Sequence, residues 1–186
     1  MNQFCKRLLV GAFMMAVALP LFARDPKTED ELITDMGSPV AKTVISALQD
    51  LEKEYPTSVP GIAKVKTLLT DDRVTVREKA ARVLGALHAD VSQTDLDNIA
   101  KLLDGSSKTE NTEGLKALRG LKAQSTIPKI LPLLKNPDAN VKRDACRTLA
   151  VIGDKSVIPD IQPLLQDPEK AVVKDANDAI FALNSK

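Results

Sequence analysis

The sequence predicts an all-α protein, an α-solenoid of about five stacked helical hairpins. The first reason is an internal repeat: residues 127–152 read IPKILPLLKNPDANVKRDACRTLAVI, and 31 residues later residues 158–183 read IPDIQPLLQDPEKAVVKDANDAIFAL. A fixed period of roughly 20–50 residues is typical of stacked supersecondary units. The second reason is the apolar spacing within each copy, which has the helical period and leaves a face that one unit cannot bury alone.

Each copy predicts two helices joined by a turn. In the copy at 127–152, Thr126 is the predicted N-cap of a short first helix, and Asn136-Pro137-Asp138 has the composition of a turn. A second helix follows and stops at Gly153. The predicted apolar faces are Ile127, Ile130, Leu133 and Leu134 on the first helix, and Val141, Ala145, Thr148, Leu149 and Ile152 on the second.

Two weaker copies precede these. The pair Leu102-Leu103 lies 31 residues before Leu133-Leu134, and Leu68-Leu69 lies 34 residues before that. The copy around Leu102 is the most eroded, because residues 105–107 and Gly114 predict a loose turn and a weak second helix. The extra length between the two copies falls at residues 89–94, where the period predicts no helix.

A further pair of helices is predicted ahead of the repeats. Thr28 and Glu31 form an S/T-x-x-E capping box at the start of a short helix. Ser38 and Pro39 predict the N-cap and first residue of a longer helix, which ends at Tyr55-Pro56. We expect these helices to form an atypical terminal hairpin that covers the first regular unit.

The repeated positions resemble HEAT-repeat proteins, in the style of the short bacterial HEAT-like units also seen in phycobilisome-lyase-type proteins. That family has proline early in the first helix, Asp in the turn, and then Val followed by Arg. The resemblance covers about residues 58–184 and implies a HEAT-like or armadillo-type superhelix whose second helices line the concave surface. The four positions read Pro128, Asn136, Val141 and Lys142; Pro159, Asp167, Val172 and Val173; and Ala63, Asp71, Val76 and Arg77, whereas the copy around Leu102 keeps none of the four.

Residues 1–23 have the layout of a secretory signal peptide. Lys6 and Arg7 precede an apolar run that ends at Ala23, the predicted cleavage site, and residues 16–18 offer a second one. The run is shorter than the ~20 residues needed to span a bilayer, which disfavours a retained anchor. The predicted organisation is a signal peptide at 1–23, a disordered tether (24–28) and capping helices within 24–56, and the repeat domain at 57–186. We expect an exported monomer in the periplasm or outside the cell.

Charge and cysteine content narrow the function classes. Residues 24–186 carry 24 basic and 25 acidic side chains, a balance that argues against a dedicated nucleic-acid binder. Cys146 is the one cysteine of that segment, so it has no partner for a disulfide within it, and we expect a small packed side chain. At the far end of the chain, the polar Asn177 and Asp178 suit a unit without a following neighbour.

Catalysis and cofactor binding are not predicted. The single histidine, His88, falls where a helix should end, and a solvated or C-terminal capping role is favoured for it. The spacing typical of zinc ligands and the glycine-rich loop typical of phosphate sites are both absent from the sequence. Tyr55 and Phe181 are the only aromatic residues after residue 23, too few to grip a tetrapyrrole.

The predicted site is a basic groove on the second helices. It is formed by the outward positions that lie opposite the apolar stripes, and Gly85 and Thr112 are also among these positions. We expect it to bind an acidic peptide, an acidic protein patch or an anionic envelope polymer. The alternative for these cations is an ordinary solvated face with ladders of ion pairs, such as Asp71 with Arg77. The alternative functions are a lyase-like accessory factor that holds a small ligand, and a structural spacer. The predicted partner-binding residues are Arg82, Lys116, Arg119, Arg143 and Arg147.

Overall fold

The computed structural model describes residues 26–105 and 107–186, which form ten α-helices and no strand. The all-α prediction is therefore confirmed for this part of the chain. The predicted signal peptide and its cleavage site lie outside the described residues. Among the described helices, none has both the length and the hydropathy that a membrane crossing requires.

The helices pair into five consecutive hairpins, four at the repeats and one ahead of them, as predicted. The second members of the hairpins (α2, α4, α6, α8 and α10) pack side by side in chain order, and the first members pack against them. In chain order the helices are α1 (Glu29–Asp35), α2 (Ala41–Glu54), α3 (Val59–Thr67), α4 (Val74–Ala86), α5 (Gln93–Ala100), α6 (Lys108–Gly120), α7 (Ile127–Ile130), α8 (Ala139–Ile152), α9 (Ile158–Ile161) and α10 (Lys170–Asn184).

The core runs along the stack between the two layers of helices. Leu84, Leu118 and Leu149 occupy matching positions in successive second helices and are fully buried. Removing one such side chain from water stabilises the fold by roughly 1.5–3 kcal/mol. Because every hairpin contributes to both of its neighbours, the apolar stripes make one continuous core.

The first helices of the last two hairpins are shorter than their apolar spacing indicates. Helix α7 ends at Ile130 and continues as a 3-10 turn over residues 131–135, and α9 does the same over 162–166. Pro132 and Pro163 cause the change, because proline has no N–H to donate to the carbonyl four residues earlier. Thr126 takes the N-cap position of α7 as predicted, but it makes no capping hydrogen bond, because its hydroxyl donates to the Ala123 carbonyl instead (2.7 Å).

The repeated Asp or Asn of the turn ends the first helix through its own side chain. Oδ1 of Asn136 accepts from the N–H of Asp138 (2.9 Å), and Oδ1 of Asp71 accepts from that of Arg73 (2.9 Å). Asp71 also pairs with the Arg73 guanidinium, which lowers the pKa of the Asp71 carboxyl. The expected side-chain pair of Asp71 with Arg77 is wrong, since Arg77 donates to the main-chain carbonyl of Asp71 (2.7 Å).

The copy around Leu102 is better formed than predicted. Its second helix, α6, is 13 residues long, which is the length of α4. A Cβ on Gly114 would stand 3.1 Å from Cβ of Leu102, so the glycine permits a close approach of the first helix. Asn111, almost fully buried, donates to the Gly105 carbonyl (2.9 Å) and holds the turn. Helix α5 begins at Gln93, so the predicted helix-free segment at 89–94 is shorter in the structure.

The terminal hairpin forms with small changes from prediction. The capping box of Thr28 and Glu31 is present. Helix α2 begins at Ala41, two residues later than predicted, because Val40 keeps an extended backbone and the Ser38 hydroxyl accepts its N–H (3.1 Å). The predicted tether at 24–28 is held in its described part: the Tyr55 hydroxyl donates to the carbonyl of residue 27 (3.1 Å).

Cys146 and His88 are structural residues. Cys146 is fully buried, and burial raises the pKa of its thiol to about 12, so the packed role predicted for it is confirmed. His88 follows α4 with a φ of 49°, and its Nδ1 lies 2.7 Å from the carbonyl of Gly120, near the end of α6. The histidine therefore joins the ends of two neighbouring helices, in keeping with the capping role.

Candidate interaction surface

The five predicted partner-binding residues lie on three adjacent helices, α4, α6 and α8. Consecutive second helices pack directly against each other, so the structure brings these side chains to neighbouring seams of one surface. We define this set as the cationic face: Arg82, Lys116, Arg119, Arg143 and Arg147.

Each member of the cationic face has a carboxylate near it. Arg82 lies 3.4 Å from Glu52 of α2, and Lys116 lies 2.8 Å from Glu113 on its own helix. These distances make both of them ion pairs.

The remaining three cations share two buried carboxylates. Arg119 of α6 lies 4.0 Å from Asp144 of α8, and Arg147 lies 3.6 Å from the same carboxylate. Arg147 also lies 3.0 Å from Asp175 of α10, and Nε of Arg143 donates to Asp175 (2.7 Å). The result is a continuous network of five charged residues that crosses from α6 to α10.

The cations of this surface lie outside and their carboxylates lie underneath. The Arg147 side chain is 45% exposed, whereas that of Asp175 is 7% exposed. Lys116 is 42% exposed above a Glu113 that is 19% exposed. Long basic side chains carry their charged ends to the surface, while a short Asp stays between the helices. A guanidinium has five N–H groups, so pairing with one carboxylate leaves donors directed to solvent.

Two positions predicted to face outward are buried. Gly85 packs against α6, where a Cβ on it would stand 2.6 Å from Cα of Ala117. Thr112 is 8% exposed. The stripe that contains these positions is directed toward the following helix in the stack, so the prediction was wrong for these two residues. The cationic face consequently follows the seams between helices.

A group of carboxylates interrupts the surface between α4 and α6. Burial raises the pKa of Glu78, and the neighbouring charges of Glu110 and Glu113 raise it further. Arg77 lies 4.0 Å from Glu110 and offsets part of this repulsion. The basic character of the face is therefore weakest at the seam between α4 and α6.

Sequence reasoning missed the buried carboxylates, although a signal was present. Asp144 and Asp175 are identical between the two best copies, which a solvated charge does not require. Asp144 is reached by Arg119 of the preceding second helix, and Asp175 by Arg143 of the preceding second helix. A charged residue repeated next to the apolar stripe was thus the sign of an ion-pair ladder between repeats.

The surface also has an open polar groove of about 400 Å³ between the second and third hairpins. Asp71, Arg77, Lys101 and Glu110 contribute charged groups to its wall. Across residues 26–105 and 107–186, there is no cluster of three or more His, Cys, Asp or Glu side chains placed to hold a metal ion.

Comparisons with known proteins agree with this architecture. Residues 96–183 match the family described as HEAT repeats. The complex of CpcE and CpcF of phycocyanin lyase from Nostoc sp. PCC7120 gives a TM-score of 0.75 at 20% identity, covering 91% of this chain and 70% of that chain. A designed armadillo repeat protein gives a TM-score of 0.63 at 20% identity, covering 83% of this chain and 82% of that chain. No curated protein matches the sequence. At such identities the structural likeness establishes the fold alone.

Proposed function

Because residues 96–183 of this chain match HEAT repeats, we propose that the chain is a HEAT-repeat protein and a non-catalytic scaffold for protein–protein interaction. The cationic face binds an acidic segment of a partner protein in this proposal. The proposed setting is the cell envelope, reached by export through the segment 1–23. That setting rests on the composition of residues 1–23 alone.

The layering of charge on the second helices supports the proposal. The basic groups of Arg82, Lys116 and Arg147 are each more exposed than the carboxylates they pair with. An approaching partner therefore meets N–H donors first. An acidic segment can bind these donors while the buried carboxylates keep the side chains in position. Preorganised donors lose less side-chain entropy on binding than free ones.

The test uses neutral substitutions, since the reversal of Arg147 would place a third carboxylate against Asp144 and Asp175. A triple variant of Arg82, Lys116 and Arg147 to Gln removes three positive charges from the cationic face. The matched control substitutes Lys53, Lys108 and Lys129 by Gln, which removes three ion-paired charges of at least equal exposure from elsewhere.

The bait is the purified chain, crosslinked in an envelope extract, and the captured protein is then titrated against both variants. We expect the face variant to lose binding at least ~10-fold, with a weaker salt dependence, and the control to bind as wild type. Circular dichroism and thermal melting of both variants verify their folding. Equal binding by the two variants would overturn the proposal.

A second candidate function is an accessory factor that holds a small ligand. Two observations favour it: the likeness to a phycocyanin lyase complex, and the groove beside Arg77 and Glu110. The wall of this groove is charged, so a polar ligand would suit it better than an apolar one. An absorbance spectrum and a mass spectrum of the protein purified under native conditions test for such a ligand. A structural spacer in an envelope assembly would show neither a ligand nor a saturable partner.

A further inference from the structure

The last helix of the stack leaves an aromatic side chain in solvent. Phe181 on α10 is 76% exposed, more than almost any other large apolar residue of the described chain. In the earlier second helices, the residues in the matching position face the following helix. Gly85 packs on Ala117, and Arg119 reaches Asp144. Within the described residues, no helix covers the corresponding stripe of α10.

The uncovered stripe has charges as well as the aromatic ring. Ala171, Lys174, Asp178 and Phe181 follow one another at spacings of three, four and three residues, so they share one side of α10. All four are exposed, and Lys174 pairs with Asp178 along the helix (2.5 Å). Along the helix, the four residues are in turn small, basic, acidic and aromatic. Their positions are symmetric about residue 176.

We propose that the occupant of this stripe is α10 of a second copy of the chain, packed antiparallel about a two-fold axis, in place of the monomer that the sequence predicts. An isologous contact requires a self-complementary pattern. When the two-fold axis passes at residue 176, Lys174 lies opposite Asp178 of the second copy, and Phe181 lies opposite Ala171 of the second copy. Both charge pairs are opposite in sign, and each aromatic ring covers a small residue.

The preceding helix shows that this complementarity is particular to α10. The matching stripe of α8 contains Arg143 and Arg147, and the same antiparallel arrangement would set these two like charges against each other. That stripe is instead occupied by Asp175 of the next helix. Within one chain, the basic groups on this side of α8 thus pair with a carboxylate of the neighbouring helix. The proposed dimer makes the same kind of contact between Lys174 of one copy and Asp178 of the other.

The contact is a single helix pair, so it is smaller than a standard protein interface and the dimer is weak. We expect a dissociation constant of ~10–500 µM for the dimer. Sedimentation equilibrium of the full chain between ~5 µM and ~1 mM measures it. A wild-type protein that stays monomeric over this range overturns the proposal and leaves the stripe to a different partner.

Three variants and one control variant test the geometry. Lys174→Glu should weaken the dimer at least ~10-fold, because it sets a carboxylate against Asp178 of the second copy. The double variant Lys174→Glu with Asp178→Lys should restore it. Phe181→Ser should weaken it, whereas Val59→Ser, at an equally exposed valine on α3, should not. Failure of the double variant to restore association, or an unchanged dimer in Phe181→Ser, overturns the antiparallel assignment. Thermal melting verifies that each variant is folded.

Discussion

At the scale of single residues, Asp175 shows how a buried acid organises an exposed base. Its carboxylate lies in the seam between α8 and α10 and accepts hydrogen bonds from Arg143 and Arg147. The two guanidinium groups remain partly in solvent, so removing the acid leaves no fully buried cation. Removing the Asp175 carboxylate should therefore reduce the free energy of unfolding by less than breaking a fully buried ion pair would.

Asp175→Asn should destabilise the fold by about 1.5–3 kcal/mol, the range for hydrogen bonds to charged groups. The change keeps the shape of the side chain, so packing contributes little. Asp178→Asn on the same helix is the matched control, because its pair with Lys174 is exposed and worth ~0–1 kcal/mol. Urea unfolding followed by circular dichroism measures both. A cost for Asp178→Asn as large as that for Asp175→Asn would contradict the role of burial.

Glu78 should destabilise the folded state at neutral pH. Its pKa in the folded protein is raised above the ordinary value of 4.5 by burial and by nearby carboxylates. The folded state therefore holds this proton more tightly, and stability falls as pH rises from about 4.5 through the folded-state pKa. Glu78→Gln should raise the melting temperature at pH 7 and have a smaller effect at pH 4.

The control for this effect is Glu169→Gln, at an exposed position before α10. We expect its melting temperature to follow wild type at both values of pH. A lower melting temperature for Glu78→Gln at pH 7 would show that the carboxylate makes a favourable contact that outweighs its neighbours.

At the scale of helices, spacing predicts which residues are buried better than where a helix begins. Leu149 and Ile152 are buried as the period of 3.6 requires. Pro132 lies within the same kind of apolar pattern, yet its missing N–H changes α7 into a 3-10 turn after one turn of helix. Helix boundaries depend on single main-chain hydrogen bonds, and these depend on side chains such as Thr126 that can bond in several directions.

Close contact between α4 and α6 depends on glycine. A Cβ on Gly120 would stand 2.2 Å from the carbonyl oxygen of Gly85, a main-chain atom that cannot move unless the helix moves. Gly120→Ala should destabilise the protein by roughly 1–3 kcal/mol through this overpacking, despite the ~1 kcal/mol that alanine gains in helix propensity.

The control is Gly105→Ala, where the new methyl group would meet the far end of the flexible Glu110 side chain. That side chain can turn aside, so we expect a small change. Denaturant midpoints of the two variants make the comparison. Equal stability of Gly120→Ala and wild type would mean that α4 and α6 separate at little cost.

At the scale of the whole molecule, the repeat period predicts four of the five hairpins and their order, because each period corresponds to one hairpin. The first hairpin is predicted from capping signals instead. The cationic face was predicted from the same register, and its five residues do lie on adjacent helices. Two of its counter-charges, Glu52 and Asp175, come from the neighbouring hairpin, so no spacing along one helix pairs them with Arg82 and Arg143. Contacts between repeats are the part of the site that a linear pattern does not contain.

A stack of this kind has no central core, so stability should vary along it. Each hairpin is held by its neighbours, and in the described chain the last one packs mainly against α8 and the 3-10 turn after α7. Ile161 in α9 and Leu84 in α4 are both fully buried. Substitution of either by alanine should cost roughly 2–5 kcal/mol of local packing. The consequences should differ because the two residues differ in position.

Ile161→Ala should increase amide hydrogen exchange in α9 and α10 while α2 and α4 keep their protection, because the last hairpin can open without breaking contacts between earlier ones. Leu84→Ala should reduce protection on both sides of α4, since the helix joins α2 to α6. Hydrogen–deuterium exchange with mass spectrometry, resolved by helix, makes the comparison. An equal loss of protection in every described helix for both variants would mean that the five hairpins unfold as one unit, and nearest-neighbour stacking would not describe the stability of the chain.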